Sequence, residues 1–232
     1  MNIVITGASK GIGKALAEQY AAGGHTLFLC SRGETGLYSA MESLLRQFPQ
    51  ATIKGRPADV SDRASAEEFV SWVLESAVPD ILINNAGNFI PGSIYNEAEG
   101  VLEQMMLSNL YSAYHVTRAF LPAMMEKRSG YIFNMCSIAS IKAYSNGGAY
   151  SISKHALLGF SRNLREELKP YNIKVSAVMP GAAYTASWEG AGVDPARLME
   201  AADIAVMIEA ASRLSPQACV EDIIMRPQLG DL

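Results

Sequence analysis

Short apolar runs of strand character alternate without a break with segments at helical spacing along all 232 residues. Strand-like runs are read at Asn2–Thr6, Thr26–Ser31, Thr52–Arg56, Asp80–Asn84, Tyr131–Cys136, Ile173–Met179 and Glu221–Met225. Between them lie helical patterns at about 14–22, 34–48, 61–76, 97–126, 149–169 and 197–213, with Ser61-Asp62 as a cap and Pro170 as a stop. Consecutive parallel strands need crossover connections, and helices are the usual ones, so this alternation predicts a parallel sheet covered on both faces. The expected architecture is α/β: a doubly wound, seven-stranded and mostly parallel sheet with helices on both faces, formed by residues 1–232 as one domain. No linker, repeat or low-complexity tract divides the chain.

In such sheets ligands bind beyond the carboxyl ends of the strands, near the point where the strand order reverses. The chemically distinctive segments fall there. Gly7-Ala-Ser-Lys-Gly11-Ile-Gly13 follows the first strand and opens the first helix. A strand, a glycine-rich turn and a helix start form a phosphate cradle, since glycine lets the backbone approach a pyrophosphate and helix-start N–H groups favour its charge. The spacing is Gly-x-x-x-Gly-x-Gly rather than the general Gly-x-Gly-x-x-Gly. Ser31-Arg32, Asp59, Asn84-Asn85-Ala86-Gly87, Ser137 and Pro180-Gly181 follow the second to sixth strands in turn.

Thirteen residues after Ser137 comes Tyr150-Ser-Ile-Ser-Lys154. Four residues is about one helical turn, so phenol and ammonium project from one face. A tyrosine with its ordinary pKa of about 10 is a poor proton donor or acceptor at neutral pH. A cation one turn away favours the phenolate, and the expectation is a lowered Tyr150 pKa and a general acid or base. Alone, the pair also fits a surface tyrosine beside a solvated lysine.

Taken together, Thr6-Gly7-x-x-x-Gly11-x-Gly13, Asn84-Asn85-Ala86-Gly87, Asn109, Ser137, Tyr150-x-x-x-Lys154 and Pro180-Gly181 resemble the short-chain dehydrogenase/reductase family, in its single-domain branch. The resemblance implies a Rossmann-type sheet, a nicotinamide cofactor and reversible hydride transfer between that cofactor and an alcohol/carbonyl pair. It makes Tyr150 the acid/base, with Lys154 tuning it and bonding the nicotinamide ribose. Ser137 would hold the carbonyl oxygen, and Asn109 would position a water linking Lys154 to solvent; a purely structural amide is the other reading of Asn109. The cofactor set it implies is Gly7, Ser9, Lys10, Gly11, Ile12, Gly13, Arg32, Asp59, Val60, Asn85, Ala86, Gly87, Pro180, Gly181 and Thr185, with Asp59 toward adenine and Thr185 toward the carboxamide.

Cofactor choice is argued from charge. An acid after the second strand bonds a ribose 2′-hydroxyl, whereas an Arg accommodates a 2′-phosphate. Here Arg32 stands at that place and Lys10 lies in the glycine turn, so NADP(H) is expected. The stretch from Ala182 to Pro195 mixes small residues with aromatics, which suits a lid near 182–198 with Tyr184 and Trp188 as apolar walls; a plain surface loop is the alternative. Ser145–Ser161 is similar to 3-oxoacyl-[acyl-carrier-protein] reductases, and Lys127 and Arg128 could meet an acidic carrier protein or simply end a solvated helix. Against that substrate, the C-terminus lacks the glycine-rich tail of many such reductases. Small ketones, diketones and pterin carbonyls stay open, as does a non-catalytic NADP-binding regulator. A sugar-nucleotide epimerase is disfavoured by the glycine spacing.

Composition narrows the partners. The chain is 49% hydrophobic and 18% charged, with net charge −4 and no basic stripe, which disfavours nucleic acid or an anionic membrane. Cys30, Cys136 and Cys219 are far apart and odd in number, as expected of reduced thiols. The first strand begins at residue 2, leaving no room for a signal peptide, and no apolar run approaches the roughly 20 residues that span a bilayer. The expectation is a cytoplasmic homodimer or homotetramer. His25, His115 and His155 lack metal-ligand spacing, and no metal site is read.

Overall fold

The computed structural model describes residues 1–185 and 192–231. Seven strands, β1 (Asn2–Thr6), β2 (Thr26–Cys30), β3 (Thr52–Gly55), β4 (Ile81–Asn84), β5 (Gly130–Met135), β6 (Ile173–Pro180) and β7 (Asp222–Met225), form one sheet in the order β3-β2-β1-β4-β5-β6-β7. Every pairing is parallel, so the expectation of a mostly parallel sheet becomes a fully parallel one. The chain steps outward from β1 to β3 and then returns to the other side of β1, which places the switch point between β1 and β4.

The central strands are apolar on both faces, as a sheet covered twice requires. Ile3 and Ile5 of β1, Leu27 and Leu29 of β2, Ile81 and Ile83 of β4 and Phe133 of β5 point to one side. There they meet α1 (Gly11–Ala22), α2 (Glu34–Gln47) and α7 (Ala201–Ser212) through Leu16, Tyr20, Leu37, Leu44, Ile204 and Ile208. Val4, Phe28, Leu82 and Ile132 alternate to the other side. They pack on α3 (Arg63–Leu74), α5 (Ser112–Lys127) and α6 (Gly148–Leu168) through Phe69, Val73, Val116, Phe120 and Leu164.

One predicted helix is built differently. The pattern over 97–126 resolves into α4 (Val101–Met106), a π-helical segment Leu107–Tyr111 and α5, while Glu97 belongs to the preceding loop. A π turn holds one more residue than an α turn, and such inserts concentrate at functional sites. Asn109 lies inside it, fully buried.

Candidate active site

The switch point is closed by hydrogen bonds rather than by bulk. Thr6 Oγ1 accepts the backbone N–H of Asn85 (3.1 Å) and of Ala86 (3.0 Å), and Asn85 Nδ2 donates back to the Thr6 and Gly7 carbonyls at 3.0 and 3.1 Å. Gly7 has φ +67°, and a Cβ there would lie 2.9 Å from Ala86 Cα. At Gly13 a Cβ would lie 2.2 Å from the Gly7 carbonyl oxygen. These two glycines let β1, α1 and the turn after β4 approach one another closely. Gly11 (φ +55°) opens α1 with Lys10 extended before it, and no side chain among the described residues caps that first turn. Thr185 sits over the turn, with its Cγ2 3.2 Å from where a Gly11 Cβ would stand.

A helix start uncapped by any side chain beside backbone that tolerates no Cβ fits a dinucleotide pyrophosphate. Lys10 and Arg32 are both exposed at this edge, and among the described residues neither forms an ion pair. A Cβ on Gly36, in the first turn of α2, would stand 3.7 Å from Ser9 Cβ, so the two residues face each other across the crevice. Asp59 is held in its own turn, its Oδ1 accepting the Ser61 N–H (3.1 Å) and hydroxyl (2.6 Å). Val60 is buried with the core on the α3 side. Pro180 ends β6, and Gly181 donates its N–H to the Met225 carbonyl at 2.7 Å.

Toward β5 the polar groups gather. Ser137 follows β5 in extended conformation and N-caps a single 3₁₀ turn, Ile138–Ser140, with Oγ accepting the Ala139 N–H at 3.1 Å. Lys154 is buried, and its Nζ donates to the Met135 carbonyl at 2.7 Å and lies 5.7 Å from the centre of the Tyr150 ring. Asn109 joins the elements. Its Oδ1 accepts the Asn88 N–H (2.7 Å), and its Nδ2 donates to the Asn88 carbonyl (3.0 Å) and to Ser153 Oγ (2.9 Å). Ser153 passes the connection on to the Tyr150 carbonyl at 2.7 Å. A Cβ on Gly87 would meet Asn109 Oδ1 at 2.8 Å and Lys154 Nζ at 3.6 Å, so Gly87 is the opening between the two.

Burial corrects one expectation. The Tyr150 phenol is held above its ordinary value because desolvation outweighs the hydrogen-bonding approach of Ser137. The same burial brings Lys154 down to about 8. A turn of helix brought the two groups together as read, but burying Lys154 and much of Tyr150 opposes the charged form of each.

The chain matches the family model described as short chain dehydrogenase over residues 1–195. It belongs to that family. The "Sepiapterin reductase" of Chlorobaculum tepidum is 32% identical over 99% of this chain and 97% of its own length. The "Monensin polyketide synthase putative ketoacyl reductase" of Streptomyces virginiae is 35% identical over 78% of this chain and 70% of its own. Among solved structures, an actinorhodin polyketide ketoreductase with NADPH superposes with TM-score 0.89 at 27% identity, covering 100% of this chain and 97% of that one. An alcohol dehydrogenase from Thermococcus sibiricus, complexed with 5-hydroxy-NADP, gives TM-score 0.89 at 27% identity over 98% and 96%. The chain is therefore an oxidoreductase of this family, with the family's fold.

Three further residues surround Tyr150 that the motifs do not mark: two at the mouth and one buried behind it. Phe89 stacks edge-on against Tyr150, ring centres 4.9 Å apart, and remains 42% exposed. The Tyr144 phenol is raised by burial and by the neighbouring Tyr150 phenol. Ser153 was legible as the residue one position before Lys154 and three after Tyr150, on the same helical face. Tyr184 is exposed, with its N–H bonded to the Met199 carbonyl at 2.8 Å. Trp188 and the middle of the expected lid, residues 186–191, lie outside the described residues.

Proposed function

We propose that the protein is an NADPH-dependent reductase that converts a ketone into a secondary alcohol, with Tyr150 as the general acid. The observation that carries this reading is the convergence of Ser137, Tyr150 and Lys154 beside Asn109 at the strand ends, next to a glycine turn shaped for a pyrophosphate.

The bound nicotinamide supplies the hydride. The protein supplies the proton and holds the oxygen that receives it. Tyr150, raised by burial, carries its proton at neutral pH and is set to give it to a developing alkoxide. Ser137 Oγ takes its local hydrogen bond from Ala139, which leaves its own proton to donate to the same oxygen, where charge develops. Lys154 sits behind the phenol and compensates its charge once the proton has left. Asn109 keeps Asn88 and the first turns of α6 in register, and a water beside Gly87 would return the proton. Lys10 and Arg32 receive a 2′-phosphate, a reading supported by solved relatives whose structures contain NADP or NADPH. Tyr184 and Phe89 form the apolar wall.

For substrate, 3-oxoacyl thioesters are supported by the ketoacyl reductases among the relatives and by a 3-oxoacyl-[acyl-carrier protein] reductase at TM-score 0.87 and 26% identity. A pterin carbonyl is the second reading, favoured by the sepiapterin reductase match along almost the whole of both chains. NADPH oxidation followed at 340 nm with an acetoacetyl thioester, sepiapterin and a panel of diketones separates them. Turnover is expected on at least one class, with Tyr150→Phe lowering kcat by about 10³-fold or more while NADPH binding persists. Binding without turnover on every carbonyl would instead mark a cofactor-binding regulator. Arg32→Asp is expected to move preference toward NADH by about tenfold or more, and an unchanged preference defeats the charge argument.

A further inference from the structure

The helix that carries Tyr150 and Lys154 begins without a cap of its own. Its N-cap is Gly147, which has no side chain to offer. The acceptor comes from elsewhere in the chain: Glu97 Oε2 accepts the Ala149 N–H at 3.1 Å, across 52 residues of sequence. A carboxylate there satisfies a first-turn donor and places negative charge at the positive end of the helix.

This bond is one part of a clasp between two loops. Gly92 donates its N–H to the Asn146 carbonyl at 3.1 Å, and Ser93 Oγ donates to Asn146 Oδ1 at 2.9 Å. Asn146 takes φ 60° to present both oxygens, a conformation that asparagine tolerates better than most residues. Gly148 is shaped by the same contact. Its φ is +27°, and a Cβ there would lie 2.4 Å from the Gly92 carbonyl oxygen and 2.6 Å from Glu97 Oε2. The loop from Asn88 to Gly100 therefore meets the catalytic helix directly through Phe89 on the Tyr150 ring, Gly92 against Gly148 and Glu97 on Ala149, and indirectly through Asn88 by way of Asn109 and Ser153.

We infer that Glu97 is a positioning residue for Tyr150, locking the first turn of α6 to the loop that walls the active site, so that the phenol and that wall hold one geometry. The inference rests on the proposed role of Tyr150, yet its structural half can be read without turnover. Hydrogen–deuterium exchange on wild type, Glu97→Ala and Glu97→Gln is compared with kcat, KM and NADPH affinity on the best substrate. Glu97→Ala is expected to speed exchange both at residues 148–152 and at 88–93, and to lower kcat about tenfold through misplacement of the phenol. NADPH affinity should stay within twofold (about the precision of such a titration), because the glycine turn is untouched. Glu97→Gln keeps an acceptor oxygen at the same reach and is expected to recover most of the rate. Exchange unchanged at 148–152, faster exchange there with kcat unchanged, or kcat and NADPH affinity falling together would each overturn the inference. A wild-type protein that turns over none of the carbonyls overturns the functional reading instead, and exchange alone then decides whether the clasp holds Tyr150.

Discussion

Lys154 carries an ammonium into a place that penalises it. It is buried, its hydrogen-bond partner among the described residues is the Met135 carbonyl oxygen, and its pKa falls from 10.5 to about 8. A lysine depressed in the folded chain binds fewer protons there than in the unfolded chain between the two values, so stability rises with pH across that window. Below about 8 the full penalty, on the order of 3 kcal/mol, is present. Lys154→Met is therefore expected to abolish turnover and yet raise Tm at pH 7 by several degrees. The gain should shrink as pH climbs from 8 toward 10, and thermal melts of both proteins at pH 7, 8, 9 and 10 test the sign. A gain that persists unchanged at high pH would show that packing, not charge, was responsible. At this scale the sequence revealed identities and spacing: Tyr150, Lys154 and Ser137 meet as read. Burial is a property of the whole neighbourhood, and for that reason the direction of the Tyr150 shift could not be taken from a one-turn spacing.

Among the elements, those with local signals were the most legible. Ser61-Asp62 reads as a cap, and of the two it is Asp62 whose carboxylate accepts the Ser65 N–H at 2.8 Å at the start of α3. Asp62 is exposed and lies just after Asp59, at the adenine end of the proposed cofactor crevice rather than beside Tyr150, so Asp62→Ala should cost about 1 kcal/mol of stability and leave kcat at saturating NADPH alone. Asp62→Asn, which retains an acceptor, should restore most of it. Urea unfolding of the three proteins decides this, and a loss below about 0.3 kcal/mol would mean the cap contributes nothing. The stretch from residue 97 to 127 was the least legible. Its apolar positions suit one long helix, but a π segment inserts at Leu107–Tyr111, and Pro122 lies within α5. A single added residue per turn leaves almost no trace in periodicity, because the residues on either side still repeat at helical spacing. What it changes is which side chain faces inward, and here that side chain is Asn109.

Across the whole molecule, alternation predicts parallel strands but says little about which neighbours pair. The contacts that bind distant parts of the chain come from single long side chains with no sequence signature. Arg165, buried on α6, donates Nε–H to the Val175 carbonyl of β6 at 2.9 Å and pairs with Asp222 of β7 at 3.1 Å and with Glu221 at 3.3 Å. One guanidinium thus ties the catalytic helix to the last two strands. Its planar fork can satisfy acceptors in several directions at once, which a lysine cannot. Glu221 and Asp222 are partly exposed, so the ion pairs themselves add little, whereas the Val175 carbonyl loses a side-chain donor when the guanidinium is removed. Arg165→Leu is expected to cost about 1–3 kcal/mol of stability, with Arg165→Lys recovering only part of it. Arg165 follows Lys154 by eleven residues, roughly 16 Å along the helix axis, so the phenol and its lysine should be unmoved. Turnover at 25 °C should then stay within about twofold of wild type while the unfolding midpoint falls. If kcat dropped in step with stability, α6 would be responding as one rigid rod, and anchorage at its far end would govern the position of Tyr150 as well.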